Sequence, residues 1–153
     1  MSSAVSEASR GGTRTHPSKI LAAVILLVSL VSLVACSSSR SPLDGTHWRL
    51  TEWTLNSLNP ADFTITATFA DEQISGDSGV NTYNGPYTFG PDATFSAGPF
   101  GGTKMAGSEP AMRAETAYLT LLGQATSYEM VDGKLTLFDK GGNESLGFAA
   151  TSV

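Results

Sequence analysis

The chain has 153 residues with nine basic and fourteen acidic side chains, which gives a formal net charge of −5 at pH 7. From Cys36 onward, six basic residues stand against thirteen acidic ones, and this negative balance excludes nucleic acid as a partner. The length allows a single domain, and because the chain has only one cysteine that domain contains no internal disulfide bond.

The first 35 residues have the organisation of a secretory signal peptide. A polar segment with Arg10, Arg14 and Lys19 precedes the apolar run 20–35. That run is short for a membrane span, which needs about twenty residues, but it suits the apolar core of a secretory signal. The sequence therefore predicts a signal peptide over residues 1–35.

The only cysteine follows this run directly. The residues Leu33, Val34, Ala35 and Cys36 resemble the bacterial lipobox. The resemblance implies cleavage before Cys36 and acylation of its thiol, so that acyl chains anchor the protein to the extracytoplasmic side of a cell membrane. An ordinary signal peptide with an incidental cysteine and an uncleaved signal anchor are the alternatives. Residues 36–42 would then be the lipidated cysteine and a short tether, and residues 43–153 the folded domain.

The start of the domain is typical of antiparallel strands. In residues 46–53, Trp48 and Leu50 occupy one face and Trp53 the other. Residues 63–69 alternate strictly between apolar side chains and threonine, as expected of a strand with one buried face.

Turn signals and one helical segment complete the domain. Gly90-Pro91-Asp92 predicts a turn between two short strands, and Asp132-Gly133 predicts a two-residue hairpin. Residues 108–123 predict one amphipathic helix with Ser108 as its N-cap. The positions on its inner face are Met112, Glu115, Leu119 and Leu122. Together the elements predict a mainly β fold, a small antiparallel barrel or strongly curved sheet with one helix.

The order of several short motifs resembles the META-domain family of HslJ-like bacterial lipoproteins. The matching residues are Trp48 and Leu50, Phe69, Ile74 to Gly76, Gly79 to Gly85, Thr103 to Ala106, then Glu115, Tyr118, Leu119 and Leu122 in the helix, and Leu135 to Leu137. The resemblance covers nearly all of the domain and implies a compact β-barrel-like fold with one helix. It also implies a link to heat-shock or envelope-stress responses, without an established biochemical activity.

Two cysteines that the family usually carries are replaced here. They look like a disulfide pair in the family, and this sequence has Val80 and Gly107 at those positions. Both are absent together, as expected if the bridge was lost as a unit.

The segment 75–85 combines glycine, asparagine, aspartate and serine around Val80 and Tyr83. One interpretation is a recognition loop at the barrel mouth formed by Asp77, Asn81, Tyr83 and Asn84. The other is a corner of the sheet in which glycines allow unusual backbone angles and Asn81 bonds to nearby backbone. Turn chemistry accounts for every residue type, so the structural interpretation is preferred.

The sequence predicts no catalytic constellation, no cofactor and no metal site. The domain contains a single histidine, His47, and no second histidine or cysteine that could complete a zinc site. Glu115 shares the helix face of apolar residues, so it is either a buried acid with a raised pKa or a partner in a hydrogen bond between helix and sheet. The hydrogen bond is the preferred explanation.

Three functions are consistent with these features. The leading hypothesis is a non-enzymatic, lipid-anchored interaction or envelope-maintenance module whose partner is an unidentified envelope protein or small ligand. The second is a carrier of a small apolar ligand in a lipocalin-like barrel, lined by Phe63, Ile65, Phe69, Tyr87, Phe89 and Phe95. The third is a hydrolase that uses a pair of carboxylates, Glu115 and Asp77.

Overall fold

The computed structural model describes residues 40–55 and 57–152. The predicted signal peptide and Cys36 lie outside the described residues. In chain order the elements are β1 (Thr46–Trp53), β2 (Thr66–Ala70), β3 (Gln73–Asp77), β4 (Thr82–Phe89), β5 (Phe95–Ala97), β6 (Gly101–Gly102), α1 (Glu109–Gln124), β7 (Ser127–Val131), β8 (Lys134–Phe138) and β9 (Glu144–Ala150). Two short 3-10 turns, Pro60–Asp62 and Pro91–Ala93, connect strands.

The strands form one antiparallel sheet that curls into a nearly closed barrel. Their order is β5-β4-β3-β2-β1-β9-β8-β7, and the short β6 pairs with β4. The two ends of this path meet at a bridge between Thr94 and Ser127, where the Phe95 N–H donates to the Thr126 carbonyl at 2.9 Å. The prediction of a mainly β barrel with a single helix is therefore confirmed for the described residues.

The first strand has the predicted inner face at Trp48 and Leu50, but the prediction that Trp53 lies on the other face was wrong. A bulge between Leu50 and Glu52 shifts the register, so Trp53 pairs with the buried Leu146 and packs against the core. Trp48 and Leu50 are only 3% and 2% exposed, because β1 lies at the centre of the sheet between β2 and β9. The second predicted strand begins later than the alternation suggests. Ile65 makes only an isolated bridge to Ser78, and continuous pairing starts at Thr66.

The helix agrees with its predicted bounds to within one residue at each end. Ser108 takes the N-cap position, but its side chain makes no capping hydrogen bond; its carbonyl accepts from the Met112 N–H at 2.9 Å. The buried face consists of Ala114, Tyr118 and Leu122. Placing Met112 on that face was wrong: Met112 is 37% exposed, because it precedes Ala114 by two residues and so lies about 200° around the helix from it.

Aromatic rings fill the interior of the barrel. Phe69 contacts Tyr87 edge to face at a centroid distance of 5.0 Å, and Tyr87 stacks with Phe95 at 6.3 Å. Tyr118 reaches from α1 to Phe148 on β9. The helix thus completes the core, because it contributes its largest buried side chain to the same cluster as the sheet. None of the helical segments among residues 40–55 and 57–152 combines the length and hydropathy needed to span a bilayer.

Candidate functional site

The segment 75–85 is a β-hairpin. Asp77 ends β3, whereas Tyr83 and Asn84 lie in β4, so only Asn81 belongs to the connecting turn 78–81. The side chains also differ in exposure: Asn81 and Tyr83 are buried, and Asp77 and Asn84 face solvent. The four residues named as a recognition loop therefore do not form one continuous surface.

Glycine is required at two points of this hairpin. Gly79 has a φ of 106°, a backbone conformation that L side chains rarely adopt. At Gly76 a Cβ atom would lie 2.2 Å from the Thr66 carbonyl oxygen on the neighbouring strand. The tight turn and the close approach of two strands therefore explain these glycines structurally.

Glu115 connects the helix to the hairpin turn. Its Oε2 accepts a hydrogen bond from the Asn81 N–H at 3.0 Å, and its Oε1 accepts from Asn81 Nδ2 at 3.1 Å. The Ser78 hydroxyl lies 2.8 Å from Oε2 and 2.7 Å from the Asn81 carbonyl, and its single proton is shared between these two acceptors. The carboxylate is half-buried. Both of its oxygens are therefore engaged in holding the turn against α1.

Asn81 extends this network to the segment that follows β6. Its Oδ1 accepts from the Met105 N–H at 2.7 Å and from the Thr103 hydroxyl at 2.8 Å. Its Nδ2 donates to the Met105 carbonyl at 3.2 Å in addition to Glu115. The amide thus uses both donors and accepts two bonds, which fills its hydrogen-bonding capacity.

Tyr83 joins the hairpin to the helix at a second point. Its hydroxyl lies 2.6 Å from the Tyr118 hydroxyl and 3.0 Å from the Thr66 carbonyl oxygen. The carbonyl can only accept, so Tyr83 donates to Thr66 and accepts from Tyr118. Burial raises the pKa of both phenols above the ordinary value, which keeps them neutral.

Val80 and Gly107, which replace the cysteine pair implied by the family resemblance, are neighbours in space. A Cβ atom at position 107 would lie 3.4 Å from the Cβ of Val80. Cβ atoms joined by a disulfide are about 3.5–4.5 Å apart. The Val80 methyl groups approach the same point to 2.7 and 3.0 Å, so valine occupies the space that a second side chain would need.

The histidine that was considered for a metal site makes a structural contact. Among the described residues, His47 is half-buried on β1 and contacts Thr68 through Nδ1 and Oγ1 at 3.1 Å. The described part of the chain contains no group of three or more His, Cys, Asp or Glu residues placed to hold a metal ion. The hydrogen bonds of Glu115 to the hairpin are suited to fixing the turn against the helix.

Ser78, Thr103 and Met105 take part in the Glu115 and Asn81 network but were not anticipated from the sequence. They come from two stretches of chain that are both remote from the helix, and Ser78 is 37 residues from Glu115. No local periodicity connects residues at such a separation. The only sequence signal is indirect, since Thr103 to Ala106 was among the motifs shared with the META family.

The residues proposed to line a ligand chamber are part of the core. Ile65, Phe69, Tyr87 and Phe95 are at most 4% exposed, and the rings of the last three contact one another. Phe63 and Phe89 are half-buried and pack against the outside of this cluster. The side chains therefore occupy the volume that a carrier would leave for its ligand.

Several solved structures have a similar fold. The solution NMR structure of a protein from Burkholderia xenovorans has a TM-score of 0.60 at 26% identity, with all of both chains covered. The crystal structure of a DUF4847 family protein from Bacteroides vulgatus has a TM-score of 0.52 at 18% identity, covering 71% of this chain and 94% of that one. At this identity, the second similarity shows only a shared fold. No curated protein sequence matches the chain significantly.

The sequence itself matches a family model. Residues 41–152 match the model of the META domain, a range that contains the hairpin, the Glu115 network and the whole barrel. The chain therefore belongs to the META-domain family.

Proposed function

We propose that this protein is a lipid-anchored, extracytoplasmic META-domain module that acts by interaction in the cell envelope and has no enzymatic role. The observation that carries the proposal is the position of Cys36. It is the only cysteine, and it directly follows the apolar run 20–35, whose last residues Leu33 to Ala35 are lipobox-like. The META match begins at residue 41, so a tether of a few residues would hold the domain close to the bilayer.

The arrangement of polar groups in the domain supports the non-enzymatic part of the proposal. A carboxylate that acts as acid, base or nucleophile needs an oxygen free to reach a substrate. Both oxygens of Glu115 already accept hydrogen bonds from the hairpin turn. Asp77, its suggested partner, is exposed at the end of β3. These contacts favour a structural role for Glu115 over hydrolysis.

The packing of the barrel interior disfavours the carrier alternative. The proposed lining rings contact each other at centroid distances of 5.0 to 6.3 Å. Binding an apolar ligand inside would require these rings to separate. A function in envelope stress or maintenance would therefore be exercised through the outer surface of the domain.

A single substitution tests the anchor. In the native host, the wild-type chain should be recovered from membranes with the mass of residues 36–153 plus acyl chains. Cys36→Ser should either release the chain or leave it with its first 35 residues attached, and Ser38→Ala serves as the matched control that keeps the cysteine. Recovery of Cys36→Ser in membranes with the same mass as wild type would refute the lipid anchor.

A further inference from the structure

The barrel is open along part of one seam. One edge of β7 pairs with β8 over its full length, but the other edge meets β5 only where Thr94 bridges Ser127. In the described part of the chain no strand pairs with residues 128–131 on that side. The barrel therefore presents an edge strand of about four residues.

The register of the hairpin shows which backbone groups face the open edge. Val131 pairs with Lys134 across the two-residue turn Asp132-Gly133, and residues that flank such a turn exchange hydrogen bonds with each other. By alternation the N–H and C=O groups of Tyr128 and Met130 point away from β8. At the bridge between Thr94 and Ser127 the Tyr128 N–H faces the Ala93 carbonyl, so the groups left open are those of Met130 and the Tyr128 carbonyl. Unpaired groups on an edge strand are a template for pairing with another extended chain.

A groove runs along this edge. It has a volume of about 560 Å³ and is lined by Pro42, Asp92, Ala93, residues 127–130 of β7 and Phe138 of β8. This volume is within the range of about 300–1,000 Å³ typical of binding sites. Met130 is 40% exposed and also lines a second depression beside Trp48. A flexible methionine at the junction of two grooves adapts to different apolar side chains.

The charges around the groove restrict its partner. Asp92 and Glu129 both line the groove, and the lining residues include no lysine or arginine. Both carboxylates are exposed, and Asp132 follows at the hairpin turn. Two copies paired through β7 would bring Glu129 residues together, and an anionic lipid surface would be repelled, whereas a cationic segment would be attracted.

We propose that the groove beside β7, defined by Pro42, Asp92, Ala93 and residues 127–130, binds an extended polypeptide segment in which apolar residues alternate with lysine or arginine. The segment pairs with the open edge as an added strand. Its apolar side chains contact Met130, and its cationic side chains lie near Asp92 and Glu129. This inference rests on the proposed role as an interaction module but does not depend on acylation of Cys36.

Reversing the charges of the peptide and of the groove tests the electrostatic part of the proposal. The full-length chain in neutral detergent micelles is titrated by calorimetry with a synthetic peptide of alternating valine and lysine, and with its counterpart of alternating valine and glutamate. The wild type should bind the basic peptide at least about tenfold more tightly than the acidic one. The double variant Asp92→Lys, Glu129→Lys should reverse this preference. Equal affinity of the wild type for both peptides, or no binding of the basic one, would overturn the proposal.

Backbone methylation tests strand addition. The basic peptide is N-methylated on alternate residues in each of its two registers, so that one version blocks the N–H groups facing β7 and the other does not. One version should lose binding by about tenfold or more and the other should retain it. Equal effects of the two versions would contradict pairing with the edge.

Two methionine substitutions locate the contact. Met130→Ala should weaken binding of the basic peptide severalfold, whereas Met112→Ala, which removes a similarly exposed side chain on α1, should not. Dimerisation of the wild type that is abolished by Met130→Ala would instead assign the groove to a second copy. Binding of anionic vesicles that is lost in Met130→Ala would assign it to lipid, and either result would overturn the peptide proposal. Failure of the anchor would be seen separately, in the membrane recovery of Cys36→Ser.

Discussion

Glu115 illustrates how a carboxylate that looks catalytic in sequence can be structural. It lies among apolar positions of the helix, which suggests that its carboxyl group is buried. In the fold it remains half-buried and accepts hydrogen bonds from the N–H and the side-chain amide of Asn81, with a further bond from Ser78 that is shared with the Asn81 carbonyl. Bonds of this kind to a charged acceptor are stronger than bonds between neutral groups. The carboxyl group of Glu115 therefore holds the turn to the helix.

The contribution of the Glu115 contacts to stability can be measured by replacing the carboxylate with an amide. Glu115→Gln keeps the shape but places an amide N–H group where Ser78 and Asn81 already donate. We expect it to lower the free energy of unfolding by about 1–3 kcal/mol. Urea unfolding followed by circular dichroism provides the measurement, with Glu109→Gln in the exposed first turn of α1 as control. An equal and small effect in both variants would show that the contacts contribute nothing to stability.

The buried tyrosines differ in how their hydroxyl groups are paired. Tyr83 bonds to Thr66 and Tyr118, whereas the Tyr87 hydroxyl has no hydrogen-bond partner among the described residues. Burial raises the pKa of Tyr87, and the nearby Ser41 hydroxyl opposes part of this rise without forming a hydrogen bond to the Tyr87 hydroxyl. A buried hydroxyl without a partner has lost its hydration without compensation.

Removing these hydroxyls should therefore have opposite consequences. Tyr87→Phe is expected to leave the free energy of unfolding unchanged or to raise it by up to about 1 kcal/mol, because no hydrogen bond is lost. Tyr83→Phe should lower it by about 1–2 kcal/mol, because the Thr66 carbonyl and the Tyr118 hydroxyl both lose their partner. Thermal and urea unfolding of the two variants give the comparison. A larger loss in Tyr87→Phe than in Tyr83→Phe would contradict this assignment.

At the scale of elements, the β3–β4 hairpin, the segment after β6 and the helix form one connected unit. Val80 in the turn approaches Gly107, which directly precedes the helix N-cap Ser108. Asn81 binds Met105 in the same segment. Packing and hydrogen bonds therefore hold together the two chain segments that the family resemblance expects a disulfide to join.

Restoring both cysteines should restore the bridge. We expect Val80→Cys with Gly107→Cys, in a Cys36→Ser background, to form a disulfide on oxidation and to stabilise the domain by about 3 kcal/mol relative to its reduced form. Thiol counting by mass spectrometry and unfolding with and without reductant provide the readout. The single variant Val80→Cys controls for the loss of the valine. Two free thiols after oxidation would show that these positions do not correspond to the family pair.

The elements could be predicted from the sequence because their signals are local. Strand alternation in β1, the Asp132-Gly133 turn and the helix bounds all depend on residues within a few positions of each other. The inner face of the helix was assigned less accurately: Tyr118 is fully buried, and Met112 is exposed. Which helix face meets the sheet depends on tertiary packing, as do the partners of Glu115, and neither is encoded in a single periodic stretch.

At the scale of the whole molecule, the helix contributes both packing and polar contacts to a barrel that is not fully closed by its strands. Tyr118 places its ring against Phe148 and its hydroxyl against Tyr83, so opposite parts of the sheet are connected through one residue. Ionising this pair requires the core to open, because the phenolate forms cannot be hydrated inside. The stability of the molecule is therefore coupled to pH in the alkaline range.

The sign of this coupling follows from the raised pKa values. Burial raises the pKa of Tyr83 and Tyr118 in the folded chain, while tyrosines of the unfolded chain titrate near pH 10. Below about pH 10 both states hold the protons and the stability is fully present. Above it the unfolded chain releases protons that the folded chain retains, so the free energy of unfolding falls by up to about 1.4 kcal/mol per pH unit for each of the two tyrosines.

Urea unfolding at a series of alkaline pH values should show this decline, and tyrosinate absorbance should appear together with the loss of structure. Tyr118→Phe should reduce the slope by the contribution of one tyrosine, because one of the protons retained by the folded state is removed with the hydroxyl. Subtracting the slope of the variant from that of the wild type removes the contributions of the titrating groups that both proteins share. A slope that is unchanged in Tyr118→Phe would mean that this phenol titrates in the folded chain without opening the core.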